Sequence, residues 1–191
     1  IKASSVTVGV FDAMHIGHQK LISEMLRSAG DKGLSSVVVT FDPYPRETID
    51  KKARITRLLL REEKLSFLRD LGVDYVVFIK FTAFFAKTAA EAFIKKYLVD
   101  RLGMKHLFVG KDFTFGKNQR GDDSFLAQLS KKYDFKANII GIREREGAPV
   151  KSSLIREFIL KGDMAKVKKL TGRYYSIQGR IIKGKGRGKE L

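Results

Sequence analysis

The chain has 191 residues, with 38 Lys and Arg against 21 Asp and Glu and a formal charge of +17 at pH 7. That length suits one domain with a sizeable core, and the absence of cysteine excludes disulfides and thiolate metal sites. No apolar stretch approaches the ~18 residues of a membrane span and no leader pattern opens the chain, so a cytoplasmic address without a membrane partner is expected. The positive field favours polyanions and phosphorylated metabolites, without specifying nucleic acid.

In chain order, five apolar runs of strand length, Val6–Phe11, Ser36–Phe41, Tyr75–Ile79, His106–Val109 and Ala137–Ile142, alternate with helical patterns. The helical patterns are Gln19–Ala29, Arg61–Leu71, Thr88–Leu102 and Ser124–Tyr133. This alternation predicts an α/β fold with a parallel sheet and crossover helices. Thr88 and Glu91 have capping-box spacing, and Gly30, Gly72 and Gly103 fall where helices are expected to end. Two short helices, Ser152–Lys161 and Met164–Leu170, complete the domain near Gly172. Beyond it Tyr174–Ile182 alternates like a β-strand, and Lys183–Lys189 is too basic and glycine-rich to bury. The opening Ile1 points to a start further upstream.

In a parallel sheet, ligands bind beyond the carboxyl ends of the strands, which directs attention to four loops. The first joins Val8-Gly9-Val10-Phe11-Asp12 to a helix start through Ala13-Met14-His15-Ile16-Gly17-His18. Free N–H groups and the positive end of the helix dipole favour an anion there, the imidazoles add donors, and Gly17 lets the backbone close on a ligand. A zinc site is not expected, because the histidine spacing is not i, i+4 and His106 is the one remaining histidine.

The second loop, Asp42-Pro43-Tyr44-Pro45-Arg46, is stiff and poor in donors, fit to wall a flat ring; an ordinary proline turn reads equally well. The third, Gly110-Lys111-Asp112-Phe113-Thr114-Phe115-Gly116, sets two phenylalanines in a polar loop, either for a ligand or packed inward. In the fourth, Ser152 and Ser153 precede a helix as N-cap residues, with Arg156 one turn on. Two hydroxyls, free N–H groups and a guanidinium would then converge on one anion, a second phosphate site.

His15-Ile16-Gly17-His18 resembles the HxGH signature of the nucleotidyltransferase superfamily. Together with Thr40-Phe41-Asp42-Pro43-Tyr44-Pro45-Arg46, Gly110–Gly116 and Ser152-Ser153-Leu154-Ile155-Arg156, it is similar to the FMN adenylyltransferase (FAD synthetase) domain of bacterial bifunctional riboflavin kinase/FAD synthetases. The resemblance implies a Rossmann-like parallel sheet, an adenylyltransferase domain over 1–172, and at 173–191 a junction with the truncated beginning of a riboflavin kinase β module. It implies ATP and FMN as substrates, FAD as product and Mg²⁺ on the phosphates, with no metal-binding side chains of its own. His15, His18, Ser152, Ser153 and Arg156 would be catalytic. ATP would be held by Gly9, Phe11, Asp12, Gly17, Gly110 and Asp112 with His15, His18, Ser153 and Arg156, and FMN by Phe41, Pro43, Pro45, Asp112, Phe113 and Phe115.

Three positions depart from the family pattern: Ala13 stands for a glycine, Met14 for an aliphatic residue and Tyr44 for a common histidine. The kinase module's proline-threonine-asparagine motif is absent, so these residues predict no kinase activity. Two other readings stay open: an adenylyl- or cytidylyltransferase of the same superfamily acting on another phosphorylated vitamin, and a basic nucleic-acid-binding protein. The latter lacks a recognisable helix-turn-helix or RNA-binding sheet motif, and no specific nucleic acid is expected.

Overall fold

Val37, Val38 and Val39 are all fully buried, which requires a strand covered on both faces. A computed structural model describes residues 1–141, 144–145, 148–179 and 182, and places these valines in β2 (Ser35–Phe41). The strand belongs to a five-stranded sheet with β1 (Ser4–Val8), β3 (Tyr75–Ile79), β4 (Met104–Gly110) and β5 (Lys136–Ile140). The order is β3-β2-β1-β4-β5 and every pairing is parallel. A two-residue antiparallel pair comes next, β6 (Glu144–Arg145) with β7 (Ala148–Pro149).

Helices cover both faces. Val38 and Phe108 pack against Ile22 and Met25 of α1 (Ile16–Lys32), beyond which lies a short α2 (Pro45–Ile49), and against Leu68 of α3 (Arg61–Asp70). Val37 and Val39 face a helix that begins as α4 (Ala90–Ala92), continues as a π-helical turn over Phe93–Val99 and ends as α5 (Asp100–Leu102). α6 (Asp123–Lys132) adds Leu126 and Leu129 to that layer. A third cluster joins Ile155 of α7 (Ser152–Leu160) and Val167 and Leu170 of α8 (Met164–Thr171) to Ala13, Leu58 and Val150. It seats the last two helices beneath the turn at the end of β1.

The α/β expectation holds, with corrections at element ends. β1 starts earlier than the apolar run, because Ser4 and Ser5 satisfy their hydroxyls on the Leu102 and Met25 carbonyls and so tolerate burial. It ends at Val8, and Val10 and Phe11 belong to the turn. β4 is longer than His106–Val109; β5 ends at Ile140, and Ile142 lies outside the described residues. α1 runs through Gly30 and stops at Gly33, whose left-handed φ of 61° makes the C-cap. The Thr88–Glu91 capping box does not form: Glu91 accepts instead from Lys132 Nζ at 2.7 Å and from the Tyr133 hydroxyl. No strand forms at 174–179, where no strand among the described residues pairs with it to take its N–H and C=O groups; 180–181 and 183–191 lie outside the described residues.

Candidate active site

Strand order reverses between β1 and β4, so the crevice for a ligand opens beyond their carboxyl ends. The chain leaves β1 there through a tight turn. Phe11 and Met14 take φ values of 50° and 44°, a left-handed conformation costing roughly 1–2 kcal/mol per non-glycine residue. Hydrogen bonds from distant elements hold it. Lys64 Nζ of α3 donates to the Val10 carbonyl at 2.7 Å, Gln19 Nε2 bridges the Met14 and Thr171 carbonyls at 2.7 Å each, and Arg173 donates to the Ala13 carbonyl at 3.3 Å. Gly9 is needed because a Cβ there would lie 2.9 Å from the Phe11 ring.

His15 is the N-cap of α1, its Nδ1 accepting from the His18 N–H at 3.3 Å, which leaves the neutral ring's proton on Nε2. The two imidazoles stack with centroids 3.6 Å apart, and the Phe11 ring meets His18 edge-on at 5.1 Å. Desolvation pushes the His15 pKa down to about 4; desolvation, then the charges of His15 and Lys64, drives that of His18 well below its usual value. Both rings are therefore neutral near pH 7, as donors rather than cations. His18 Nδ1 is buried without a hydrogen-bond partner among the described residues.

The depressed His15 pKa makes stability pH-dependent with a definite sign. Above the unfolded value of about 6.5 the ring is neutral in both states and its contribution is complete; as pH falls towards 4 the unfolded chain takes up a proton that the folded one refuses. The shift corresponds to about 3 kcal/mol. Between pH 7 and pH 4.5 the urea midpoint should fall less in His15→Asn, which keeps an N-cap acceptor, than in the wild type, and the fall that remains belongs to the buried His18.

Asp12, 2% exposed, ties the turn to two further loops. It accepts from the Tyr44 hydroxyl at 2.7 Å, the Leu58 N–H at 3.1 Å and the Arg156 guanidinium. Burial, with the Asp12 contact second, raises the Tyr44 pKa, so the phenol stays protonated as a donor. Lys64 Nζ lies 3.4 Å from the same hydroxyl, its pKa pushed down to about 8 by desolvation. Arg57 stacks over the Tyr44 ring and pairs with Glu47 at 2.8 Å and Asp42 at 3.1 Å. Tyr44, unusual at its position in sequence, is thus the hub of this network.

Three adjoining cavities open along the crevice. One of about 350 Å³ is lined by Gly9, Phe11, His15, Gly17 and His18 from the first turn and by Gly110, Asp112 and Phe113 from the loop after β4, with Ser152 at the start of α7. A second, of about 770 Å³, shares Phe11, His18 and Ser152 and adds Asp12, Pro45, Ser153 and Arg156. The third, of about 130 Å³, is lined by Phe41, Pro45, Phe113 and Phe115 together with Phe81 and Phe85. The histidine turn and the first turn of α7 therefore meet at one crevice despite their separation in sequence.

Several expected roles change in detail. Arg156 does not point freely with the serines: Nε donates to the Thr56 carbonyl at 2.7 Å and the guanidinium pairs with Asp12. Ser152 is not the N-cap, since that place is Lys151, which puts both serines inside the first turn of α7. Phe115 packs into the core while lining the aromatic cavity. Pro43 lines none of the three cavities, because Pro45 opens α2 and presents its own ring there. Asp112 faces the histidine cavity rather than the aromatic one.

Lys64, Gln19, Phe81 and Phe85 escaped the sequence reading. One sign was present: Lys64 shares a helical face with Leu68 and Leu71, a position that buries a charge only when it has a partner.

The sequence profile of the family described as FAD synthetase matches residues 1–154. A protein of Buchnera aphidicola (subsp. Schizaphis graminum) named bifunctional riboflavin kinase/FMN adenylyltransferase is 33% identical over 98% of this chain and 61% of its own length. Proteins of the same name from Haemophilus influenzae and Escherichia coli K12 are 31% and 33% identical, over 100% and 97% of this chain and 62% and 59% of theirs. The chain thus spans about three-fifths of the length of these relatives. A crystal structure of a Streptococcus pneumoniae protein described as a macrolide-efflux protein superposes with a TM-score of 0.82 at 27% identity, over 92% of this chain and 66% of that one. A Francisella tularensis pantoate-beta-alanine ligase shares the fold at 17% identity, with a TM-score of 0.53 over 90% of this chain and 72% of that one. With its first 154 residues matched by the family profile and its histidine turn and α7 meeting at one crevice, the chain belongs to the FAD synthetase family.

Proposed function

We propose that this chain transfers an adenylyl group from ATP to FMN, giving FAD and pyrophosphate. The observation that carries the reading is the meeting of His15, His18 and the first turn of α7 at one crevice beyond the sheet's carboxyl edge, beside an aromatic-lined cavity. A narrow space walled by Phe41, Phe81, Phe85 and Phe113 suits a flat ring system such as isoalloxazine. The relatives carry two activities in their name over a longer chain; kinase activity is not proposed here. Residues 1–172 are read as the adenylylating domain and 173–191 as a junction leading towards the additional length of those relatives. A cytoplasmic setting accords with the described residues, none of whose helices is long and apolar enough to cross a membrane.

In the proposed reaction an oxygen of the FMN phosphate attacks the α-phosphorus of ATP, the bond from that phosphorus to the β-phosphate bridging oxygen breaks, and pyrophosphate leaves. A phosphate monoester with a second pKa of about 6 is already a dianion near pH 7, so no general base is required. The chain's task is to position two anions and to stabilise charge on the transferring and leaving groups. Neutral His15 and His18 suit that task as hydrogen-bond donors, with the free N–H groups at the start of α1 beside them. Ser152 and Ser153 orient the phosphates, and Arg156 meets the leaving pyrophosphate once it is exchanged from Asp12.

No cluster of three or more His, Cys, Asp or Glu able to cage a metal exists among the described residues. That donor set fits an Mg²⁺ brought on the nucleotide and largely hydrated, with Asp112 as the carboxylate to hold it. When bound, the ion supplies charge neutralisation on the phosphates. Incubating the chain with ATP, Mg²⁺ and FMN should yield FAD and pyrophosphate in equal amounts. Pyrophosphate release with a different phosphorylated vitamin but not with FMN would favour another superfamily activity.

A further inference from the structure

Arg46 and Arg54 line the 770 Å³ cavity, but among the described residues the 350 Å³ cavity beside the histidines is short of positive charge for a triphosphate. Both imidazoles are neutral near pH 7, and the Arg156 guanidinium is already paired with the buried Asp12. The side chains lining the 350 Å³ cavity include a single Lys or Arg among the described residues, Lys151. Its Nζ lies 3.6 Å from Asp112 Oδ2, so the ammonium spans the mouth of the cavity between the start of α7 and the loop after β4.

Lys151 is also badly suited to its local position. It is the N-cap of α7, with extended φ and ψ of −127° and 148°, and its side chain makes no capping hydrogen bond. An ammonium has no acceptor to offer the free N–H groups, and its charge opposes the positive end of the helix dipole. No acidic residue in the first turn offsets it. The Lys151 ammonium and the free N–H groups of α7 thus converge on one cavity, with the Asp112 carboxylate as the one acidic group on its wall among the described residues. His18, whose Nδ1 is buried without a partner among the described residues, lines the same cavity. Local rules broken together in this way mark a functional position.

From this geometry we infer that Lys151 is a further substrate-contacting residue, the cation that meets the nucleotide's triphosphate in the cavity beside His15 and His18. The inference rests on the adenylyl-transfer reading and adds a contact to it. In the free protein Asp112 holds the ammonium at the mouth; with nucleotide bound, the phosphate chain takes Asp112's place as its partner.

The test compares Lys151→Ser and Lys151→Arg with the wild type by calorimetric titration of ATP, inorganic tripolyphosphate and adenosine at low salt, alongside KM values for ATP and FMN. Lys151→Ser should weaken ATP and tripolyphosphate at least about tenfold, the loss of one charge-assisted contact, and leave adenosine unchanged. Its melting temperature should hold or rise, since serine caps a helix and lysine does not. Lys151→Arg should recover most of the affinity. Unchanged ATP and tripolyphosphate binding in Lys151→Ser overturns the inference while leaving FAD formation to stand. So does a rise confined to the KM for FMN, which would place the ammonium on the other substrate's phosphate. A lower melting temperature with adenosine binding lost in parallel would assign Lys151 a structural role. A wild-type chain that binds neither ATP nor tripolyphosphate and forms no FAD overturns both the inference and the reading beneath it.

Discussion

Asp12→Ala is expected to lower the free energy of unfolding by about 3 kcal/mol, the range for removing one partner of a buried ion pair. The carboxylate is 2% exposed, and its loss strands the Arg156 guanidinium, the Leu58 N–H and the Tyr44 hydroxyl at once. Arg156 retains some access to water, its side chain being 25% exposed, which holds the loss near the lower end of that range. Urea denaturation at pH 7 measures it. A change below about 1 kcal/mol would mean that the network closes up without Asp12 and that the three loops are held together by packing. Asp12→Asn, which keeps the shape and one acceptor oxygen, should lose less.

The second large effect lies in rate. His18→Ala should reduce kcat for FAD formation about a hundredfold, equivalent to about 3 kcal/mol for one preorganised donor to developing charge. The fold should survive, because among the described residues the His18 Nδ1 has no hydrogen bond to strand; the substitution removes the His15 stack and an edge contact with Phe11. Circular dichroism at equal concentration separates the two effects. Near-normal turnover in a folded His18→Ala protein would remove the imidazole from the mechanism and leave the helix N–H groups of α1 as the main phosphate donors. A parallel decrease in melting temperature would show that the stacked pair acts through the turn.

These expectations depend on how far local pattern reaches. Strand and helix identities were open to reading because burial on both sheet faces demands runs such as Val37-Val38-Val39, and because helices repeat their apolar positions at 3.6 residues. Element ends were less open. Ser4 and Ser5 read as polar, and become strand residues only because the Leu102 and Met25 carbonyls lie within reach. Glu91 has capping-box spacing, yet Tyr133 and Lys132, about forty residues on, compete successfully for its carboxylate. A strand at 174–179 has the right alternation but no neighbour to pair with among the described residues. In each case a long-range partner, or its absence, overrode a local preference.

The candidate site divides along the same line. Sequence alone determined that a glycine-containing turn with His15 and His18 joins a strand to a helix, that Ser152 and Ser153 open a late helix, and that both belong to the carboxyl edge of a parallel sheet. Such features are local, set by backbone chemistry and spacing within a few residues. Only the tertiary structure decided that Asp12 captures Arg156, that Lys64 and Tyr44 hold the strained turn, that the histidines are neutral, and that Lys151 faces Asp112 across the cavity. Burial and charge pairing depend on what lies a few ångströms away in space, and those neighbours come from strands, loops and helices up to 160 residues apart in the chain.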